Sequence, residues 1–71
     1  MKDEVFTSIG ARITRIRKIN NITQEKLAIL SGLDRSHIGF IEQGRRKPTI
    51  STLQKISRAL DVPLDELIKG L

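Results

Sequence analysis

The side chains best equipped for chemistry in this chain are cationic, and they are concentrated. Residues 12–58 carry eleven Lys or Arg against three Asp or Glu, net +8, while residues 1–11 and 59–71 are mildly acidic at −1 and −2. A pI of about 10.3 with the charge gathered centrally is the electrostatic footprint of a polyanion binder. Two groups stand out: Arg35, Ser36, Phe40 and Gln43, spaced so that a helix carries them on one face, and the run Arg45-Arg46-Lys47 just beyond. Arg suits a bidentate contact with guanine O6 and N7, and basic loop residues suit phosphates. Taken alone, residues 45–47 read equally well as a solvated loop; their place after the donor-bearing face is what favours backbone contact.

Other chemistry is poorly supplied. The absence of cysteine removes a disulfide framework, a thiolate nucleophile and any Cys-containing zinc site. His37 is the only histidine, and its place reads as surface or phosphate contact rather than as a metal ligand. Ser36 and Ser51 have no positioned base, and His37 lacks a carboxylate orienter at a recognisable spacing. With no acid–base pair, metal cluster or phosphate loop, neither an enzyme nor a bound cofactor or small-molecule ligand is expected.

The elements that must position these side chains are helices. With 71 residues there is material for one domain, residues 1–71, and its interior must come chiefly from Ile and Leu, since Phe6 and Phe40 are the only aromatics. Phe6, Ile9, Ile13 and Ile16 recur at helical spacing and predict a helix over 4–19, ended by Asn20-Asn21. Thr23 is a suitable N-cap for a short helix over 24–31, which Gly32 stops, and Asp34 is an N-cap candidate for a third helix over 35–43, ended by Gly44. Pro48 separates the basic loop from a fourth helix capped by Thr49 or Ser51, with Leu53, Ile56 and Leu60 inward and Ile50 at its start. Pro63 opens a fifth helix over 63–70 bearing Leu64, Leu67 and Ile68. Five helices and no strand signal predict an all-α, compact five-helix orthogonal bundle.

The tight turn at Gly32 between two short helices, with small Ala28 where they cross, has helix-turn-helix character over 24–43. Leu27, Leu33, Ile38 and Ile41 face inward, leaving Arg35, Ser36, Gly39, Phe40 and Gln43 outward. Phe40 there is either a small extension of the core or a contact residue. Gly39 inside a helix is either a tolerated weakness or a place where a close approach needs room.

The stretch Ile22-Thr23-Gln24-Glu25-Lys26-Leu27-Ala28, continuing through Ser31-Gly32-Leu33, Ile38, Ile41-Glu42 and Gly44 to Pro48-Thr49-Ile50, Leu53, Ile56, Ala59-Leu60 and Val62, resembles the helix-turn-helix of the lambda repressor and Cro superfamily. The resemblance runs from Ile9 to about Ile68, and departs from the repressor pattern at Gly39, where many relatives carry a longer side chain. It implies that Gln24 bonds a DNA phosphate and braces the recognition helix, that Arg17 and Glu42 form a structural pair, and that Arg35 and Ser36 read bases. Phe40, one turn on, would press a thymine methyl group, with Gln43 on the same face. Thr23, His37, Arg45, Arg46 and Lys47 are then DNA-backbone candidates. Gly32-Leu33-Asp34-Arg35-Ser36-His37-Ile38 with Ile41-Glu42-Gln43-Gly44 is similar, more narrowly, to the recognition segment of restriction-modification controller proteins.

A protein of this kind is expected to be a homodimer on a palindromic or pseudopalindromic double-stranded DNA operator, with Leu64, Leu67, Ile68 and Leu71 of the last helix as its interface. The first residues show no apolar leader and no stretch is long enough to span a membrane, which predicts a soluble cytoplasmic protein. The alternative readings are a phage or plasmid repressor, and an antitoxin or adaptor acting mainly through protein–protein contacts.

Overall fold

The computed structural model describes residues 3–71. Five helices follow in order: α1 (Glu4–Ile19), α2 (Gln24–Ser31), α3 (Arg35–Glu42), α4 (Ile50–Ala59) and α5 (Asp65–Ile68), with no strand among the described residues. The molecule measures 29 × 23 × 22 Å. All five helices feed one core: Ile13 from α1, Leu27 from α2, Ile38 from α3, Ile56 from α4 and Leu67 from α5 are each fully buried. Burying one such side chain is worth about 1.5–3 kcal/mol, so no element is dispensable. No helix among the described residues is long and apolar enough to cross a membrane.

Local signals explain where the helices start and stop. Asp3 accepts from the Val5 amide, Thr23 from Lys26 and Thr49 from Thr52, so three N-termini have a side-chain cap. Thr49 rather than Ser51 is thus the cap of α4. At the C-termini a single device recurs four times. Ile22, Leu33, Arg45 and Val62 each donate an amide back to a carbonyl five residues earlier (Arg17, Ala28, Phe40 and Ser57, at 2.9–3.0 Å), while the preceding residue bonds three residues back. These are Schellman closures, and each needs a left-handed residue: Asn21, Gly32, Gly44 and Asp61 supply it with φ between 57° and 72°.

Asp34 occupies the N-cap position of α3 as expected, although its side chain makes no cap bond. Ile50, at the start of α4, is 60 % exposed. Three expectations need correction. Gln43 is the C-cap of α3 rather than part of it. The last helix is one turn, not eight residues: Pro63 and Leu64 make tight bonds to Glu66 and Leu67, only three residues on, and Gly70 at φ +76° ends the segment. Leu67 points wholly inward with no exposure, because that turn must fill the space between α1 and the core centre, and so it cannot contribute to a subunit interface.

Candidate nucleic-acid interface

The donor-bearing face is built on α3, and three arrangements hold that helix in place. Gly32, in the left-handed region, lets α2 turn directly into α3. Ile38 and Ile41 anchor the inner side. Gly10 of α1 lets α1 come against the end of α3, since a Cβ there would stand 2.6 Å from the Glu42 carbonyl oxygen. Sequence reasoning passed over Gly10, although a glycine in the middle of a strongly periodic helix is a visible sign of close approach.

The end of α3 is also clamped electrostatically. Arg17 donates through Nε to Glu42 Oε2 at 2.6 Å and through Nη2 to Oε1 at 3.0 Å, and its Nη1 donates to the Ile22 carbonyl at 2.8 Å. The two side chains are 10 % and 5 % exposed. Gln24 Nε2 adds a third donor to Glu42 Oε1 at 3.0 Å, tying the start of α2 to the end of α3. Burial raises the Glu42 pKa, but the hydrogen bonds from Arg17 and Gln24, with the Arg17 charge, outweigh it and leave the carboxyl below its ordinary value of 4.5. Glu42 is therefore a fixed acceptor, and Gln24, whose amide donates to it, also lines the outer face.

On that outer face Gln24, Arg35, Ser36, Gly39, Phe40 and Gln43 line one open cleft of about 250 Å³. This lies below the roughly 300–1,000 Å³ of small-molecule sites. Phe40 is 42 % exposed and stands apart from the core, which decides against reading it as a core extension. The other sequence-derived candidates are not part of the cleft. His37 is half-buried on the flank of α3. Thr23 is occupied as the α2 cap. Arg45 reaches back toward Gln43 Oε1 at 3.4 Å, and Arg46 is exposed beside it. Lys47 lies over the Phe6 ring, 5.8 Å from its centroid, and so faces the start of α1. Of the four Schellman closures, three put an apolar residue (Ile22, Leu33, Val62) against the core at the returning position, whereas the one after α3 puts the exposed Arg45 there. The usual apolar contact is absent only where the chain passes the donor-bearing face. Among the described residues no group of His, Cys, Asp or Glu is placed to hold a metal.

The helix-turn-helix family model matches residues 13–67. The chain is 38 % identical over 60 residues to Control protein C.SmaI of Serratia marcescens, covering 84 % of this chain and 71 % of that one. It is 35 % identical over 69 residues to Control protein C.BamHI of Bacillus amyloliquefaciens, covering 96 % and 85 %. The crystal structure of the restriction-modification controller protein C.AhdI from Aeromonas hydrophila superposes with a TM-score of 0.91 at 36 % identity, covering 93 % of this chain and all of that one. With the helix pair, its clamped second helix and these likenesses together, the chain belongs to the helix-turn-helix (HTH_3) family of transcriptional regulators.

Proposed function

We propose that the chain is a cytoplasmic, sequence-specific regulator that binds a double-stranded DNA operator as a homodimer and controls restriction-modification genes. The observation that carries this reading is the cleft itself: Arg35, Ser36, Phe40 and Gln43 are exposed together on a helix whose inner side and C-terminus are fixed. Such a face, bearing donors and one aromatic, suits the floor of a major groove. The names of the controller relatives point to the class of genes.

In this reading Arg35 bonds a guanine, Ser36 and Gln43 bond neighbouring base edges, and Phe40 covers a thymine methyl. Gln24 has a free carbonyl oxygen and a second amide hydrogen beyond its bond to Glu42, so it braces α3 while that second hydrogen meets a phosphate. Arg45, Arg46 and Lys47, in the loop after α3, neutralise backbone charge, while Thr23 and His37 offer polar groups to phosphates. The interface between protomers is drawn from Leu64, Ile68 and Leu71, of which Leu71 is 49 % exposed. A twofold axis through that surface presents two α3 helices to half-sites about 34 Å apart on a palindromic or pseudopalindromic operator.

Selection of bound sequences from a randomised duplex library tests this. Enrichment of two inverted half-sites one helical turn apart is expected. Enrichment of no sequence, or retention of duplexes by charge alone, refutes it.

A further inference from the structure

Two glycines lie inside helices without needing a left-handed backbone, Gly10 and Gly39. Their surroundings differ. Gly10 is required by the protein itself, because a Cβ would drive into the Glu42 carbonyl oxygen. At Gly39 a Cβ would meet nothing within 4 Å. Nothing in the chain benefits from its missing side chain, yet α3 bears its cost: glycine is the poorest helix former after proline, α3 has only eight residues, and its N-cap Asp34 makes no side-chain cap bond. The fold gives no reason for a glycine here, so any requirement for one lies outside the protein.

Its position indicates what is required. Gly39 sits in the middle of the cleft, with Ser36 and Arg35 one turn before it, Gln43 one turn after, and the half-exposed Phe40 ring alongside. The face thus has polar side chains at both ends and a gap at its centre with one apolar wall. A recognition helix turns its N-terminal residues, and the same face one turn on, toward the base edges on the groove floor, whereas phosphates lie at the walls. The thymine C5-methyl is the apolar group that a major-groove floor presents. We infer that Gly39 is a specificity determinant, a notch that admits a thymine methyl group against Phe40 at the centre of each half-site. This rests on the DNA-reading function proposed above, in which Phe40 covers a thymine methyl, and adds the residue that makes room for that methyl.

The test uses the full chain, Gly39→Ala and the operator obtained by selection, with thermal melting and binding measured in parallel. Gly39→Ala is expected to raise Tm by about 4 °C, since alanine favours the helix and meets no neighbour, while weakening operator binding about tenfold or more and leaving random-duplex binding unchanged. Replacing single thymines by uracil, which removes one methyl, is expected to cost the native protein about fourfold at one position per half-site and to cost the alanine variant nothing further there. If Gly39→Ala lowers Tm, the glycine serves the fold and the inference is overturned. If the variant binds the operator as tightly as the native chain, or if no thymine-to-uracil change matters, the notch is overturned while the DNA-reading function stands. If the native chain itself shows no preference for any duplex, both fail.

Discussion

Replacing Glu42 by alanine should be among the most damaging single changes available in this chain, and its size follows from the clamp. The Glu42 carboxylate is 5 % exposed and accepts three hydrogen bonds, two from Arg17 and one from Gln24. Its removal leaves the 10 %-exposed Arg17 side chain facing an apolar methyl, with only the Nη1 bond to Ile22 retained. Breaking a buried pair from one side costs about 3–5 kcal/mol; the surviving Ile22 bond and water reaching the partly exposed edge place this case near 3. A domain of this size holds roughly 4–11 kcal/mol in total, so the variant should lose a quarter to most of its stability and melt about 12–24 °C lower. Urea unfolding followed by far-ultraviolet circular dichroism measures it, with an unchanged m-value as the sign that only stability moved. A loss below about 1 kcal/mol would refute the reasoning, because it would mean that the pair is solvated and contributes like a surface bridge.

The sign of the pH dependence belongs to the same group. The folded-state pKa of Glu42 is lowered, so its contribution is fully present above the ordinary carboxylate value of 4.5 and is lost as pH falls through the lower folded-state value. Glu42→Gln should therefore be destabilised at pH 7 and converge on the native chain once the pH has fallen through that lowered folded-state value. In binding, Arg35→Ala should cost roughly 1–3 kcal/mol on the operator and relax discrimination at one base pair, whereas Arg46→Ala should weaken all duplexes alike and reduce the salt slope by about one; equal losses on operator and random DNA for Arg35→Ala would remove its reading role. Leu67→Ala should cost roughly 2–5 kcal/mol of monomer stability, while Leu71→Asp should leave the melting of dilute monomer nearly unchanged and shift sedimentation from dimer to monomer; a dimer unaffected by Leu71→Asp would move the interface elsewhere.

The sequence disclosed the parts of this molecule that depend on near neighbours. Helical spacing of Ile9, Ile13 and Ile16, with Asn20-Asn21 behind them, is sufficient to bound α1, and Thr23 with Gly32 bounds α2, because capping and left-handed closure are chemical properties of single residues. The outward face of α3 follows from the same periodicity. What was hidden depends on three-dimensional distance. Leu67 carries the same hydrophobic signal whether it fills the core or a subunit interface, and only the placement of α5 against α1 decides for the core. The length of α5 is not legible because Pro63 favours a helical start equally in a tight turn and in a long helix. Gly10 and Gly39 look alike in sequence, and only the Glu42 carbonyl beside one and open space beside the other separate them. The resemblance implies a bracing function for Gln24; its bond to Glu42, a residue 18 positions away, has no local pattern in the sequence to reveal it.

The central claim is that the α3 face distinguishes one DNA sequence from others, and the ratio of two dissociation constants tests it most directly. Purified chain should be titrated, at about 150 mM salt, against the operator recovered by selection and against a duplex of the same length and composition with its sequence scrambled. The account predicts an operator preference of about a thousandfold or more, with both affinities falling as salt rises. Equal affinity for the two duplexes would contradict it, leaving a basic helical domain that holds DNA by charge without reading it.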